Sequence, residues 1–273
     1  MRKLFLVGSP RSGTTLLQTI LTGQLGLFTL KETHFFRHLH RWRPVRWLDH
    51  LCLDRRRVDA AFRFITENNA LERSYDWAHV RRLADACRLL DRLMTEEAGL
   101  RRCRGWLEKS PEHMFFIDEI RRHLPEAQFV HILRDGPDVV ASLHDAKARY
   151  PEHWSWLGDL DQMIDLYNRY CRVIRKNSGR ADTFLVRYAD LVEGDRAVLD
   201  GLAHFLELEP GTLSLERITS YRADIVRPEE AWKIRGENRV VDTRGQKFQS
   251  LFNAGEQERI LRRLVPTGDL VSG

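Results

Sequence analysis

Eight residues near the start of the chain, Gly8-Ser9-Pro10-Arg11-Ser12-Gly13-Thr14-Thr15, restrict the fold more than any other stretch. The apolar run before them, Lys3-Leu4-Phe5-Leu6-Val7, is too short for anything but a buried strand. After them, Thr14 to Leu21 sets apolar side chains at 16, 17, 20 and 21, the spacing of one helix face. A strand, a loop with Gly at both ends and a helix opening on hydroxyl residues make an anion cradle. The N–H groups at a helix start lack partners within the helix, and the helix dipole is positive there, so both converge on an oxyanion. Pro10, Arg11, Ser12, Gly13, Thr14 and Thr15 are therefore the first candidate binding residues.

The spacing G-x-x-x-x-G fits the loop that holds nucleoside triphosphates, but that loop continues with Lys and then Ser or Thr. Thr14 stands in the place of the Lys. The positive charge it would bring has to come from elsewhere, and Arg11 inside the loop is the obvious substitute.

Four further short runs read as strands: Leu27 to Leu30, Cys103 to Leu107, Gln128 to Arg134 and Thr183 to Tyr188. Each is followed mainly by helix, which predicts an α/β fold. The expected architecture is a three-layer α/β/α sandwich on a central parallel sheet, as in P-loop nucleoside-triphosphate hydrolases, with ligands at the carboxyl edge. No Pro/Gly/Ser-rich linker divides the chain, so 1–273 is expected to be one domain with a helical cap inserted at about 35–100. Within the cap, apolar spacing predicts a helix from Trp77 to Glu97. Phe35, Phe36, Trp42, Trp47 and Trp77 alternate there with Arg37, His38, His40, Arg41, Arg43 and Arg46, which suits either an acceptor pocket or a basic packed cap.

The strand ends carry the remaining candidates. Glu32 follows the second strand and is the carboxylate best placed for general-base work, with His34 beside it as the alternative base. His34 and His38 have metal-ligand spacing but no third ligand accompanies them, so no metal site is expected. Lys109 lies where the third strand gives way to a helix started by Pro111. Arg134 ends the fourth strand, and Pro137 opens a helix that carries Ser142 on its second turn. Arg suits a phosphate because its fork meets two oxygens at once. His131, inside that strand, reads as a core histidine. Trp154 and Trp156 read as a loop, and Glu256 to Leu264 as a last amphipathic helix.

Two of these stretches carry a resemblance. VGSPRSGTTLLQTIL resembles the 5′-phosphosulfate loop of sulfotransferases that use 3′-phosphoadenosine 5′-phosphosulfate (PAPS), which share the P-loop fold without its lysine. QFVHILRDGPDVVAS resembles their 3′-phosphate motif, with Gly136 as a departure and the Arg-to-Ser spacing of eight kept. The resemblance implies that Arg134 pairs with the 3′-phosphate while Ser142 donates its hydroxyl, and that Tyr188 contacts the nucleotide. It implies Glu32 as the base and Lys109 directed at the bridging oxygen or the transferring sulfuryl group. The product would be adenosine 3′,5′-bisphosphate, with no metal needed. Family members also return a basic loop over the 3′-phosphate, and Arg235-Gly236 or Arg244-Gly245 fall where it would lie.

The net charge of +5 suits an anionic ligand, but the basic residues are scattered among acids, which argues against nucleic acid as the partner. No stretch has the length of a membrane span, and Cys52, Cys87, Cys103 and Cys171 lack metal or redox spacing, so a cytoplasmic enzyme is expected. The expected acceptor is a small molecule, glycan or lipid with a hydroxyl or amine. A kinase using ATP and magnesium, or a nucleotide-binding module without catalysis, are the rival readings. Oligomeric state is not legible.

Overall fold

The computed structural model describes residues 1–40, 52–216 and 245–270. Its strands form a five-stranded parallel sheet in the order β2-β3-β1-β4-β5, flanked by helices, as the alternation of short apolar runs and helical spacing predicted. The chain divides into two compact units.

The first unit holds Met1–Val7 and Thr15–Phe129. It contains β1 (Arg2–Gly8), whose last residue passes to the loop, then α1 (Thr14–Leu25), β2 (Leu27–Thr29), α2 (Phe35–Leu39), α3 (Arg55–Asn68), α4 (Leu83–Leu100), β3 (Gly105–Lys109) and α5 (Ile117–His123). A 3-10 helix, Pro111–Phe116, follows β3 directly. β3 pairs in parallel with both β1 and β2, which sets Lys109 opposite Leu6 and Leu107 opposite both Leu4 and Thr29. Burial on both sides explains why these strands read as continuous apolar runs. Phe5 packs edge-on against Trp106 at 5.5 Å and stacks on Phe129 at 5.8 Å, and each ring contributes about 1.5–3 kcal/mol by leaving water. Gln18 of α1 donates to the Thr29 hydroxyl, which donates to the Leu107 carbonyl at 2.7 Å. That relay satisfies polar groups buried beside the strand ends.

Several boundaries differ from the sequence reading. α4 begins at Leu83 rather than near Trp77, because the Asp85 carboxylate accepts the backbone N–H groups of Arg81 and Arg82 and caps the helix there. β3 runs from Gly105 rather than Cys103: at Gly105 a Cβ would meet the Arg2 carbonyl oxygen at 2.4 Å, so only glycine lets the strands close. Trp42, Trp47, Arg41, Arg43 and Arg46 lie outside the described residues.

The second unit holds Gly8–Thr14 with described residues 130–216 and 245–270. β4 (Gln128–Leu133) enters it from the first unit. It continues through α6 (Gly136–Arg149), α7 (Pro151–Trp154), α8 (Leu160–Asn177), β5 (Thr183–Arg187), α9 (Tyr188–Glu193), α10 (Arg196–Phe205), α11 (Gln246–Leu251) and α12 (Ala254–Arg263). Val140 and Ala141 of α6, Ile164 of α8, Phe248 and Phe252 around α11 and Ile260 of α12 form one apolar cluster. Trp154 belongs to the short helix α7 and is buried, whereas Trp156 is exposed. Tyr188 opens α9 instead of closing β5.

Candidate active site

Within the second unit, the loop from Gly8 to Thr14 is shaped by its glycines and by Ser12. The Ser12 hydroxyl donates to the Ser9 carbonyl at 2.6 Å, and the Ser12 backbone N–H donates to the same oxygen at 3.1 Å. A Cβ at Gly8 would stand 2.7 Å from the Ile132 carbonyl oxygen. Gly13 has φ of +98°, and a Cβ there would stand 2.4 Å from the Tyr188 ring. Both glycines are thus required by close approach, and Gly13 also by its left-handed backbone. Arg11 holds a left-handed φ of 70° and donates from Nε to Ser142 Oγ at 3.1 Å. Pro10 accepts from the Ser9 hydroxyl at its carbonyl, so it serves the loop's shape.

Arg134 follows β4 and is fixed on two sides. The Tyr188 ring lies over its guanidinium, 4.5 Å from centroid to Cζ, and Asp138 Oδ2 accepts from its Nη2 at 3.4 Å. Its Nε is buried without a hydrogen-bond partner among the described residues. Burial, and then the positive charge of Arg134, lower the pKa of Arg11, with Asp145 opposing. Two guanidiniums in each other's field, one carrying an orphaned buried donor, are arranged for an anion.

In the first unit, Lys109 Nζ lies 2.5 Å from Glu32 Oε1, and both side chains are buried. His34 stands beside them with Nε2 3.7 Å from Glu32 Oε2, while its Nδ1 meets the Glu112 carboxylate. The His34 backbone has φ of 49° and its N–H donates to Ser110 Oγ at 3.1 Å. Burial pushes the Glu112 carboxyl up, but the charge and hydrogen bond of His34 outweigh it and hold the pKa down at about 2. On the opposite face of β3, Glu108 accepts from Thr33 and Ser110 at 2.8 and 2.7 Å and pairs with His113 Nδ1 at 2.6 Å. Burial disfavours charge on both members of this pair, yet their mutual attraction prevails: Glu108 is lowered and His113 is raised.

The profile described as the sulfotransferase family matches residues 3–212, more than three quarters of the chain. This chain belongs to the sulfotransferase family. Omega-hydroxy-beta-dihydromenaquinone-9 sulfotransferase Stf3 of Mycobacterium bovis is 30% identical to it over 138 residues, 47% of this chain and 35% of the relative, and Stf3 of Mycobacterium tuberculosis matches equally. The match thus spans about a third of the length of these curated relatives. Among solved structures, the sulfotransferase domain from the curacin biosynthetic pathway superposes with a TM-score of 0.60 at 15% identity, covering 96% of each chain. Mouse sulfotransferase SULT7A1, complexed with PAP, superposes with a TM-score of 0.50 at 12% identity, covering 96% of this chain and 83% of that one. At these identities the likeness shows the fold.

In this sulfotransferase-family chain, the candidates fall into two groups. Arg11, Ser12, Gly13, Thr14, Arg134, Ser142 and Tyr188 gather in the second unit, and Glu32, Lys109 and His34 in the first, where Thr15 also lies. Arg11 and Ser142, assigned from sequence to opposite ends of a nucleotide, touch each other. Arg235, Gly236 and Arg244 lie outside the described residues. Sequence reasoning missed Glu108, Glu112, His113 and Asp138. The available signal was the density of Glu and His around a strand-to-Pro junction, Glu108 to His113. Among the described residues, no group of three His, Cys, Asp or Glu is arranged to hold a metal, and no helix is long and apolar enough to cross a membrane.

Proposed function

We propose that the chain moves a sulfuryl group from PAPS to a hydroxyl, or an amine, of a small-molecule, glycan or lipid acceptor, with Glu32 as general base. The observation that carries this reading is the pairing of a Gly-bounded loop with two guanidiniums and the orphaned Nε of Arg134. These residues fit a nucleotide bearing separate anionic groups. The helix-start N–H groups with Arg11, Ser12, Thr14 and Thr15 would hold the 5′ side, Arg134 and Ser142 the 3′-phosphate, and Tyr188 the nucleotide. When bound, PAPS supplies the sulfuryl group and a phosphate leaving group.

Glu32 takes the acceptor proton, and Lys109, ion-paired to it at 2.5 Å, fixes the orientation of the carboxylate and brings positive charge for the transferring group. His34, held on its far side by Glu112, limits how Glu32 can turn. The loop dipoles and arginines neutralise charge as the transfer proceeds, so the reaction is expected to run without metal. Bound PAP in the mouse enzyme and the hydroxylated menaquinone in the name of Stf3 support the donor and a lipid-type acceptor. The spacing of Cys52, Cys87, Cys103 and Cys171, which fits neither a metal nor a redox motif, accords with a cytoplasmic location.

Incubation with PAPS radiolabelled on sulfur and a panel of hydroxylated acceptors, with and without chelator, tests the reading. Transfer of label that survives chelation is the expected result. Magnesium-dependent consumption of ATP, with no transfer of sulfur label, overturns it.

A further inference from the structure

Helix α6 carries Asp138, Ser142 and Asp145 at intervals of four and three, one stripe along one helix face. Each has a named partner in the second unit. Ser142 meets Arg11, and Asp145 meets Lys247 Nζ at 2.7 Å. Asp138 is buried and works with both oxygens: Oδ2 accepts from Arg134, and Oδ1 accepts from the backbone N–H of Gly245 at 2.8 Å. Gly245 has φ of 74° and is the residue from which α11 starts. The same carboxylate therefore steers the arginine that follows β4 and anchors a backbone more than a hundred residues later. At 3.4 Å the contact to Arg134 is a single long one, and among the described residues the guanidinium's Nε is left without a hydrogen-bond partner, open to a ligand.

We propose that Asp138 is a positioning residue for phosphate recognition: one oxygen orients Arg134, the other fixes the chain at Gly245, and selectivity for a 3′-phosphate depends on both. This rests on the reading that Arg134 meets the 3′-phosphate. A carboxylate beside a phosphate site also repels the ligand, so removing it would improve binding if repulsion were its main effect. A long contact from a buried, doubly engaged acid favours orientation as the larger effect.

Calorimetric titration of the full chain with adenosine 3′,5′-bisphosphate and with adenosine 5′-monophosphate measures the preference for a 3′-phosphate. In Asp138→Asn that preference is expected to fall at least tenfold while the monophosphate affinity stays within threefold, a split that general loosening of the fold would not give. Asp138→Glu, which keeps the charge but displaces it, is expected to lose at least threefold. A third measurement needs no variant: the bisphosphate, and not the monophosphate, should slow hydrogen exchange of the wild-type segment 245–251. A wild-type preference retained or increased in the variants, or exchange unaffected by the bisphosphate, overturns the role of Asp138 alone. A wild-type protein that does not prefer the bisphosphate overturns the proposed function and this inference with it.

Discussion

Arg11 Nε donates to Ser142 Oγ at 3.1 Å, which ties the Gly-bounded loop to the helix that follows Arg134. A charged donor spends one of its five N–H groups on a neutral hydroxyl, and in doing so fixes the direction of its fork. The two residues are then expected to act as one element in nucleotide binding. Arg11→Ala should weaken binding of adenosine 3′,5′-bisphosphate by about 1.5–3 kcal/mol, the range for a hydrogen bond to a charged group, and Ser142→Ala by about 1 kcal/mol. In a double-mutant cycle followed by calorimetry the two effects should fall short of additivity by at least about 0.5 kcal/mol. Strict additivity would show that the contact has no part in binding.

The buried Glu32 and Lys109 pair ties chemistry to stability. Glu32→Gln should lower kcat by about 10²–10⁴ with nucleotide affinity unchanged, as expected for loss of a general base. Lys109→Met leaves the Glu32 carboxylate buried without its ammonium and should cost about 3–5 kcal/mol in denaturant unfolding. The double variant should regain part of that loss. A Glu32→Gln protein with full turnover removes Glu32 from the base role.

Glu108 and His113 set a pH window. The Glu108 carboxyl is lowered on folding, so its contribution is complete above its unfolded value of about 4.3 and is lost as pH falls through the lower folded value. The His113 imidazole is raised, so its contribution is complete below about 6.5 and is lost as pH rises through the higher folded value. The stability difference between wild type and His113→Gln should therefore be largest between about pH 4.3 and 6.5 and shrink on both sides. Denaturant midpoints measured across pH 3 to about 9 check this, and a difference independent of pH contradicts a charged pair.

Much of the fold was legible because buried parallel strands announce themselves as short apolar runs: β1, β4 and β5 fall within a residue of their predicted spans. The Gly-bounded loop was legible for a related reason, since close approach at Gly8 and Gly13 and the positive φ of Gly13 restrict residue type locally. What failed depended on side-chain contacts that the spacing of apolar residues does not report. Val80 continues the helical spacing of α4 and is buried, yet it lies outside the helix because a side chain three residues inside captures the backbone before Leu83. Trp154 and Trp156 are equivalent in sequence, and only packing separates the buried one from the exposed one. Glu108 gave no sign of being buried, because its partner His113 comes within reach only when the 3-10 turn after Pro111 forms.

Gly13 offers a test of the loop. Alanine there has to bear a φ of +98° and displace the Tyr188 ring, which lies over Arg134. The backbone strain alone is about 1–3 kcal/mol. Gly13→Ala should raise the dissociation constant for adenosine 3′,5′-bisphosphate at least about tenfold, which corresponds to 1.4 kcal/mol, with the far-ultraviolet circular dichroism preserved. Adding Tyr188→Ala should not restore binding, since it relieves the clash and leaves the strain.

The cradle and Arg134 are expected to serve one nucleotide phosphorylated at both ends. Calorimetry of the purified full chain with adenosine 3′,5′-bisphosphate in the presence of chelator, compared with ATP in the presence of magnesium, tests it most directly. The predicted result is saturable binding of the bisphosphate without metal and much weaker binding of ATP. Tight binding of ATP with magnesium, and none of the bisphosphate, would contradict it.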